Sequence, residues 1–242
     1  MTLLLLSGTG EAREIADMLA DEGIPAIASL AGATRAPQEQ ALPTRIGGFG
    51  GADGFRRYLL KAQISAVLDA THPFAVRVSG RTVQICAKLG LPYCQLLRPE
   101  WSPSAQDQWI VIADEAEASA HVKPDETVFL ATGRQTLERF AQLKTHRLYC
   151  RQIDVPDGPF PFSNGEYVIG RPPFSVEEEI ALFQRLGIDW LVVKNAGGST
   201  SFSKLIAARE LGLRVLMISR PPQPEARRVD TVNAAMAWAR AL

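Results

Sequence analysis

The sequence Leu3-Leu4-Leu5-Leu6-Ser7-Gly8-Thr9-Gly10-Glu11-Ala12-Arg13 opens the chain and decides its fold. Four consecutive leucines predict a strand that is buried on both faces, as the strands of parallel sheets are. The glycine turn and the amphipathic stretch after it predict the start of a helix. A helix that begins in a glycine turn presents free N–H groups and the positive end of its dipole. This segment therefore predicts a strand, a turn and a helix that can bind an anion such as a cofactor phosphate.

The composition is that of a folded globular protein. The 242 residues are 46% hydrophobic and 21% charged, and Lys plus Arg equals Asp plus Glu at 26 each. This balance does not favour nucleic acid or a membrane surface as a partner. No apolar run has the roughly 18–20 residues that span a bilayer, and the apolar start lacks the basic region of a signal peptide. We expect a cytoplasmic protein that does not bind membranes; its oligomeric state stays open, and a monomer is compatible with the sequence.

Cysteine and histidine usage gives no indication of a metal site. The cysteines Cys86, Cys94 and Cys150 form no CxxC pair, which is typical of reduced structural thiols. The three histidines are scattered along the chain. We therefore expect no metal.

Strand-like and helical runs alternate along most of the chain, which predicts an α/β fold with mainly parallel sheets. The segment Arg98–Ser104 contains two prolines and breaks the alternation. We expect two Rossmann-like, doubly wound domains, residues 1–100 and 101–242, with an interdomain cleft. The last helix can pack on either domain. The alternation also predicts a helix over Gln135–Leu143 and a long loop over Val155–Asn164.

The first glycine turn matches a dinucleotide-binding fingerprint only in part. Gly8 and Gly10 fit the first two glycines of GxGxxG, whereas Arg13 stands at the third. Glu11 brings to the helix start a negative charge that favours the helix dipole and repels a phosphate. The turn alone is compatible both with dinucleotide binding and with an ordinary tight turn.

The end of the second strand bears on the choice of cofactor. NAD enzymes place an acid there to bind the ribose hydroxyls, but Ala31-Gly32-Ala33-Thr34-Arg35 contains none. Arg35 can instead face a phosphate, so a nicotinamide cofactor bound here is predicted to be NADPH. A solvated loop arginine is the alternative interpretation.

Three further turns follow strands at the sheet edge where α/β proteins bind ligands. Thr71-His72-Pro73-Phe74 places a histidine that can donate a hydrogen bond, supply a proton or simply cap a helix. Lys194–Ser201 combines glycines, hydroxyls and a lysine into a second anion nest without the order of a P-loop. Ala131–Arg134 is a third glycine turn. Arginines near these turns suit a ligand with many carboxylates, although each alone also fits a surface position.

Four segments of the sequence together resemble the precorrin-6A reductase family of cobalamin biosynthesis. They are Leu5–Arg13, Asp69–Ala75, Lys194–Gly198 and Ile218–Pro221, and the resemblance covers essentially the whole chain. It implies two Rossmann-like domains with the ligands between them and an NADPH-dependent reduction of one double bond of a tetrapyrrole macrocycle, which converts precorrin-6A to precorrin-6B. Glu11 and Arg13 are expected in this family's version of the turn.

The resemblance also suggests roles for individual residues. The candidate proton donors are His72, Tyr167, Glu166 and bound water. The expected cofactor-binding residues are Ser7, Gly8, Thr9, Gly10, Thr34, Arg35, Thr71, His72, Pro73, Phe74, Lys194, Gly198 and Ser199. The expected substrate-binding residues are Arg77, Arg134, Arg171, Thr200 and Ser201.

Two other functions remain compatible with the sequence. One is a cofactor-free, two-domain tetrapyrrole enzyme similar to uroporphyrinogen III synthase, which NADPH titration would distinguish from a reductase. The other is a non-catalytic sensor of small ligands, which would bind without turnover.

Overall fold

The structure is a computed structural model that describes residues 1–32, 39–143 and 147–242. The chain forms two compact units, Met1–Pro99 with Pro221–Leu242 and, separately, Glu100–Arg220. The predicted boundary after residue 100 lies beside the first of these transitions, and the last helix belongs to the first unit.

The strands are β1 Thr2–Leu6, β2 Ala26–Leu30, β3 Thr44–Ile46, β4 Ile64–Asp69, β5 Tyr93–Leu96, β6 Gln108–Ile112, β7 Thr127–Leu130, β8 Arg147–Gln152, β9 Gly165–Ile169, β10 Trp190–Lys194, β11 Arg214–Ile218 and β12 Arg228–Val229. The α-helices are α1 Gly10–Asp21, α2 Gly51–Lys61, α3 Val76–Leu89, α4 Val176–Leu186, α5 Ser203–Glu210 and α6 Val232–Arg240.

The sheet of the first unit has the strand order of a Rossmann fold. Its strands run β3-β2-β1-β4-β5-β12, and each described pair is parallel. The order reverses between β1 and β4, which is the switch point where such sheets bind ligands. The turn after β1 and the turn after β4 therefore start at neighbouring strand ends.

The leucines of β1 are buried on both faces of this sheet, as their sequence predicts. Leu3 and Leu5 pack with Ile15 of α1 and Met236 of α6 on one face. Leu4 and Leu6 pack with the α2 and α3 side on the other. Because α1 and α6 cover the same face, the C-terminal helix is part of this unit's core.

The sheet of the second unit repeats the same pattern with one strand exchanged. Its order is β9-β8-β7-β10-β11-β6, again with parallel pairs. The sixth position is taken by β6, which precedes β7 in the chain, while β12 takes the sixth position of the first sheet. The α/β class with two Rossmann-like, mainly parallel sheets is thus confirmed.

A 3₁₀ segment and an edge strand of the second unit differ from the sequence-based expectation. The expected helix at Gln135–Leu143 is a 3₁₀ segment, Arg134–Leu143, with non-helical backbone at Phe140. Its buried residues Leu137, Phe140 and Leu143 recur every three positions, which matches three residues per 3₁₀ turn. The edge strand β9 lies where no strand was predicted, because its half-buried sequence lacks a long apolar run.

Candidate active site

The turn after β1 forms the N-terminus of α1. Gly8 has a φ of 139°, a backbone conformation that residues other than glycine rarely adopt. The Thr9 hydroxyl caps the helix by accepting a hydrogen bond from the Ala12 amide at 3.1 Å. Ser7 is buried, and its hydroxyl oxygen has no hydrogen-bond partner among the described residues. A buried hydroxyl without a partner is costly, so Ser7 indicates that a ligand group belongs in this turn.

The turn after β4 is tied to the turn after β1. The Thr9 hydroxyl donates to the Ala70 carbonyl at 2.9 Å, and the Ala70 amide donates to the Leu6 carbonyl at 2.9 Å. Two of the predicted site segments, Ser7–Gly10 and Thr71–Phe74, are thereby brought together.

A buried carboxylate shapes the turn after β4. Asp69 has no exposed surface and accepts hydrogen bonds from the Thr71 amide at 3.0 Å and the Thr71 hydroxyl at 2.7 Å. The Tyr93 hydroxyl donates to its other oxygen at 2.8 Å. Burial, together with the negative charge of Asp69, raises the pKa of Tyr93 far above its ordinary value, so the phenol keeps its proton. Asp69 begins one of the segments that carry the family resemblance, but neither Asp69 nor Tyr93 was predicted from the sequence to be a site residue.

His72 and Pro73 occupy different environments within the same turn. His72 is exposed, and its Nδ1 accepts a hydrogen bond from the Phe74 amide at 3.3 Å. The neutral imidazole therefore carries its proton on Nε2. Pro73 is buried, and its carbonyl accepts a hydrogen bond from Gln223 at 2.8 Å. The returning C-terminal segment thus holds this turn in place.

An arginine neutralises the acid at the start of α1. Glu11 forms an ion pair with Arg98, and both side chains are largely buried. Arg98 follows the end of β5, far from Glu11 in sequence. From sequence alone we expected Glu11 to repel a phosphate, but its pairing with Arg98 offsets the negative charge at the helix N-terminus.

Three other residues were predicted for the site in this unit. Thr34 and Arg35 lie outside the described residues. Arg77 is exposed in the first turn of α3.

On β3, Arg45 donates to Ser29 at 3.0 Å and to the Gly47 carbonyl at 2.7 Å, and so orders the glycine turn before α2.

In the second unit, the predicted lysine is engaged in structural contacts. Lys194 is paired with the buried Glu115 at 3.5 Å, and it donates to the Thr132 carbonyl at 3.4 Å. Burial lowers the pKa of Lys194, although Glu115 opposes that effect. Lys194 thus joins the ends of β7 and β10.

The glycine turn after β10 is hydrogen-bonded to Trp101 in the same unit. Asn195 accepts a hydrogen bond from the Trp101 amide at 2.9 Å, and the Trp101 indole donates to the Gly198 carbonyl at 2.7 Å. Four residues, 199–202, separate Gly198 from the first residue of α5, whose N-cap has no side-chain hydrogen bond. The amides of this glycine turn are therefore not the N-terminus of a helix, in contrast to the turn before α1.

The remaining predicted residues of the second unit are spread over several elements. Tyr167 lies within β9 and packs against Phe160 at 4.8 Å between ring centroids, and the exposed Glu166 precedes it. Arg171 is 3.7 Å from Asp154. Arg134, Ser199 and Thr200 are exposed, and the Ser201 carbonyl accepts from Lys204 at 2.7 Å.

A buried charged cluster in the second unit was not expected from the sequence. Arg151 forms two hydrogen bonds with the buried Glu179, at 2.7 and 2.6 Å. Lys204 is also buried, and burial lowers its pKa to about 8, against the opposing effect of Glu179. These contacts pair the buried charges of Arg151 and Glu179 and tie β8 to α4.

The described residues contain no group of three or more His, Cys, Asp or Glu side chains that can bind a metal. The cysteines are buried and unpaired. Burial raises the pKa of Cys86 and Cys150 to about 12 and that of Cys94 to about 11, so the thiols stay protonated. No helix in the described parts of the chain has the length and apolar character to cross a membrane.

Comparison with known proteins places the whole chain in one family. The model of the family described as "Precorrin-6x reductase CbiJ/CobK" matches residues 2–240. The precorrin-6A reductase of Rhodobacter capsulatus is 44% identical over 237 residues, which cover 98% of this chain and 94% of the relative. The precorrin-6A reductase of Rhodococcus erythropolis is 44% identical over 240 residues, covering 98% and 96%.

A solved structure gives the same result for the fold. The structure of "CobK precorrin-6A reductase" matches with a TM-score of 0.96 at 42% identity, covering 100% of this chain and 96% of that one. The chain therefore belongs to the precorrin-6x reductase family.

Proposed function

We propose that this chain reduces precorrin-6A to precorrin-6B with NADPH, which binds at the turns after β1 and β4. Family membership makes the chain an oxidoreductase of cobalamin biosynthesis that acts on a CH–CH group of a tetrapyrrole. This replaces the two alternatives that the sequence left open, a cofactor-free tetrapyrrole enzyme and a sensor. The choice of NADPH and its position are the parts that we propose.

The observation that carries the proposal is the unpartnered Ser7 hydroxyl at the switch point of a Rossmann-ordered sheet. It lies beside the capped N-terminus of α1, where backbone N–H groups and the helix dipole favour a phosphate. The Arg98 partner of Glu11 offsets the one negative charge in the first turn of α1. The residues present therefore fit the diphosphate of a dinucleotide.

We assign the hydroxyl of Ser7 and the backbone of Gly8 and Gly10 to diphosphate binding. Thr9 acts indirectly, because its hydrogen and one lone pair are engaged with Ala70 and Ala12. Thr34 and Arg35 stay candidates for the ribose phosphate that distinguishes NADPH from NADH. Lys194, Gly198 and Ser199 stay predictions, although the contacts of Lys194 and Gly198 favour a structural role.

NADPH bound at this position would supply a hydride for a ring carbon of the macrocycle, and a proton would be added at the neighbouring carbon. His72 is our candidate for holding or donating that proton, because its ring is exposed in the turn after β4 and an imidazole can take up and release a proton near neutral pH. Tyr167 is less suited to donate the proton, because it lies in the edge strand β9 and its ring packs against Phe160. Arg77, Arg134, Arg171, Thr200 and Ser201 are proposed to bind the acetate and propionate groups of the substrate.

We expect the purified protein to oxidise NADPH only when precorrin-6A is present. The nicotinamide absorbance should fall in proportion to precorrin consumed, because one hydride is transferred per double bond. Protein without precorrin and precorrin without protein are the controls. The proposal would be refuted if the protein failed to bind NADPH, or if it reduced precorrin-6A without oxidising NADPH.

Replacing Ser7 with alanine should separate binding from folding. We expect Ser7→Ala to weaken NADPH binding about tenfold, because a hydrogen bond to a charged phosphate is lost. The free energy of unfolding should stay the same or rise by up to about 1 kcal/mol, since a buried hydroxyl without a partner is removed. Calorimetric titration and thermal unfolding measure the two effects.

Ser65→Ala is the matched control for this experiment. The Ser65 hydroxyl donates to the Thr2 carbonyl at 3.1 Å near the opposite ends of the same strands. NADPH affinity should not change in this variant. Equal affinity in Ser7→Ala and the unaltered protein would rule out Ser7 as a ligand-binding residue.

The role of Arg98 can be tested by a double-mutant cycle. Arg98→Leu leaves the Glu11 charge unpaired at the start of α1, and we expect it to weaken NADPH binding about tenfold or more. Adding Glu11→Gln should restore most of the affinity, because the repulsive charge is removed. Titration of NADPH into the four proteins gives the coupling between the two residues.

Arg240→Leu provides the control, because it removes another ion pair made by the α1 region. Arg240 pairs with Glu22 at the C-terminal end of α1, away from the turn. We expect unchanged NADPH affinity in that variant. A double variant that stays as weak as Arg98→Leu would contradict charge neutralisation and would indicate direct contact of Arg98 with the cofactor.

A further inference from the structure

The buried carboxylate of Asp69 fixes the direction of a hydrogen bond at the candidate site. Asp69 is the last residue of β4 and has no exposed surface. A carboxylate at such a position is costly unless its oxygens accept hydrogen bonds. The Thr71 amide and hydroxyl donate to Oδ1, and the Tyr93 hydroxyl donates to Oδ2. All three described donors are neutral groups, and two of them come from one residue.

The hydrogen bonds to Asp69 determine how the Thr71 hydroxyl can interact with a ligand. A threonine hydroxyl has one hydrogen and two lone pairs. Its hydrogen is directed to Asp69 at a short distance of 2.7 Å. The Thr71 amide hydrogen is directed to the same oxygen. The half-buried Thr71 therefore has acceptors to offer a ligand through its side chain, and neither its hydroxyl nor its amide is available to donate to an anion.

The position of Thr71 indicates which part of a dinucleotide it meets. In a Rossmann-ordered sheet, the two nucleotides lie on opposite sides of the switch point. Thr71 follows β4, the first strand on the side formed by β4, β5 and β12. Ser7 follows β1, on the other side of the switch point, and its hydroxyl is not committed to a described partner. The turn of Ser7 suits a phosphate, whereas the turn of Thr71 suits a neutral donor.

We propose that Asp69 and Tyr93 are positioning residues that hold the Thr71 hydroxyl as an acceptor for a neutral N–H or O–H donor on the nicotinamide–ribose half of the cofactor. The donor is either the carboxamide NH2 or a ribose hydroxyl. This assignment rests on the proposed binding of NADPH and specifies how one end of it is recognised. Tyr93 contributes as an obligate donor to Oδ2 of Asp69, because its phenol keeps its proton.

The test compares Thr71→Val, which has nearly the same shape without the hydroxyl, with Thr71→Ser, which retains it. Thr44→Val is the control for the same chemical change, because the exposed Thr44 donates to the Leu42 carbonyl at the start of β3. Each protein is titrated with NADPH, with the acetylpyridine analogue that replaces the carboxamide NH2 by a methyl group, and with the adenosine bisphosphate fragment that lacks the nicotinamide ribose.

We expect Thr71→Val to weaken NADPH binding about tenfold, and Thr71→Ser and Thr44→Val to stay within about twofold of the unaltered protein. The adenosine fragment should bind all four proteins equally. If the carboxamide is the donor, the acetylpyridine analogue binds the unaltered protein and Thr71→Val alike. If a ribose hydroxyl is the donor, the analogue also loses about tenfold.

Two results would overturn the inference. One is unchanged NADPH affinity in Thr71→Val. The other is an equal loss of NADPH and of the adenosine fragment, which would show that the turn itself is disturbed. Failure of the unaltered protein to bind NADPH would instead refute the proposed function, so the two failures are distinguishable.

A second cycle tests whether Asp69 acts through Thr71. An asparagine side chain at Asp69 can donate to the Thr71 oxygen and release the hydroxyl hydrogen, so Asp69→Asn should weaken NADPH binding about tenfold. Combined with Thr71→Val, it should cost no more than either change alone. Additive losses would show that Asp69 acts independently. If the Asp69→Asn variant does not fold, Tyr93→Phe replaces it in the same cycle. The losses of NADPH affinity in Tyr93→Phe and Thr71→Val are then expected to be non-additive.

Discussion

The hydroxyl of Thr9 is the contact on which the proposed site depends. It accepts a hydrogen bond from Ala12 and so starts α1, and it donates to the Ala70 carbonyl and so joins the turns after β1 and β4. This double role is possible because the strand order places β4 directly beside β1. A helix N-terminus that favours anions and a turn that offers an acceptor are thereby fixed next to each other.

The two units show how similar sequence patterns lead to different environments. Both carry glycine turns after central strands, and the hydroxyls of Ser7 after β1 and of Thr132 after β7 both lack a described partner. Of these two turns, the one after β1 runs directly into a capped α-helix, whereas the one after β7 runs into a 3₁₀ segment. The turn after β10 is engaged with Trp101, and Lys194 is paired with Glu115. What distinguishes the turn after β1 is therefore the combination of an unpartnered hydroxyl with the N-terminus of a capped α-helix.

Much of the fold was predictable, because apolar strands and amphipathic helices alternate with a clear period. The short strands β9 and β12 were not predicted, since edge strands of a few half-buried residues carry little hydrophobic signal. Within the site, the sequence indicated the Ser7–Gly10 and Thr71–Phe74 turns. It did not indicate that Arg98 neutralises Glu11 or that Tyr93 binds Asp69, because these pairs join residues on different strands and turns. Such partners are set by strand order and register, which no local pattern specifies.

A crystal structure of the protein with NADPH is the most direct test of the central claim, that the turn at the start of α1 binds the cofactor. The account predicts the diphosphate at the N-terminus of α1, within hydrogen-bonding distance of the Ser7 hydroxyl, and the nicotinamide ribose on the β4 side. A diphosphate bound instead at the Lys194–Ser201 turn of the second unit would contradict it.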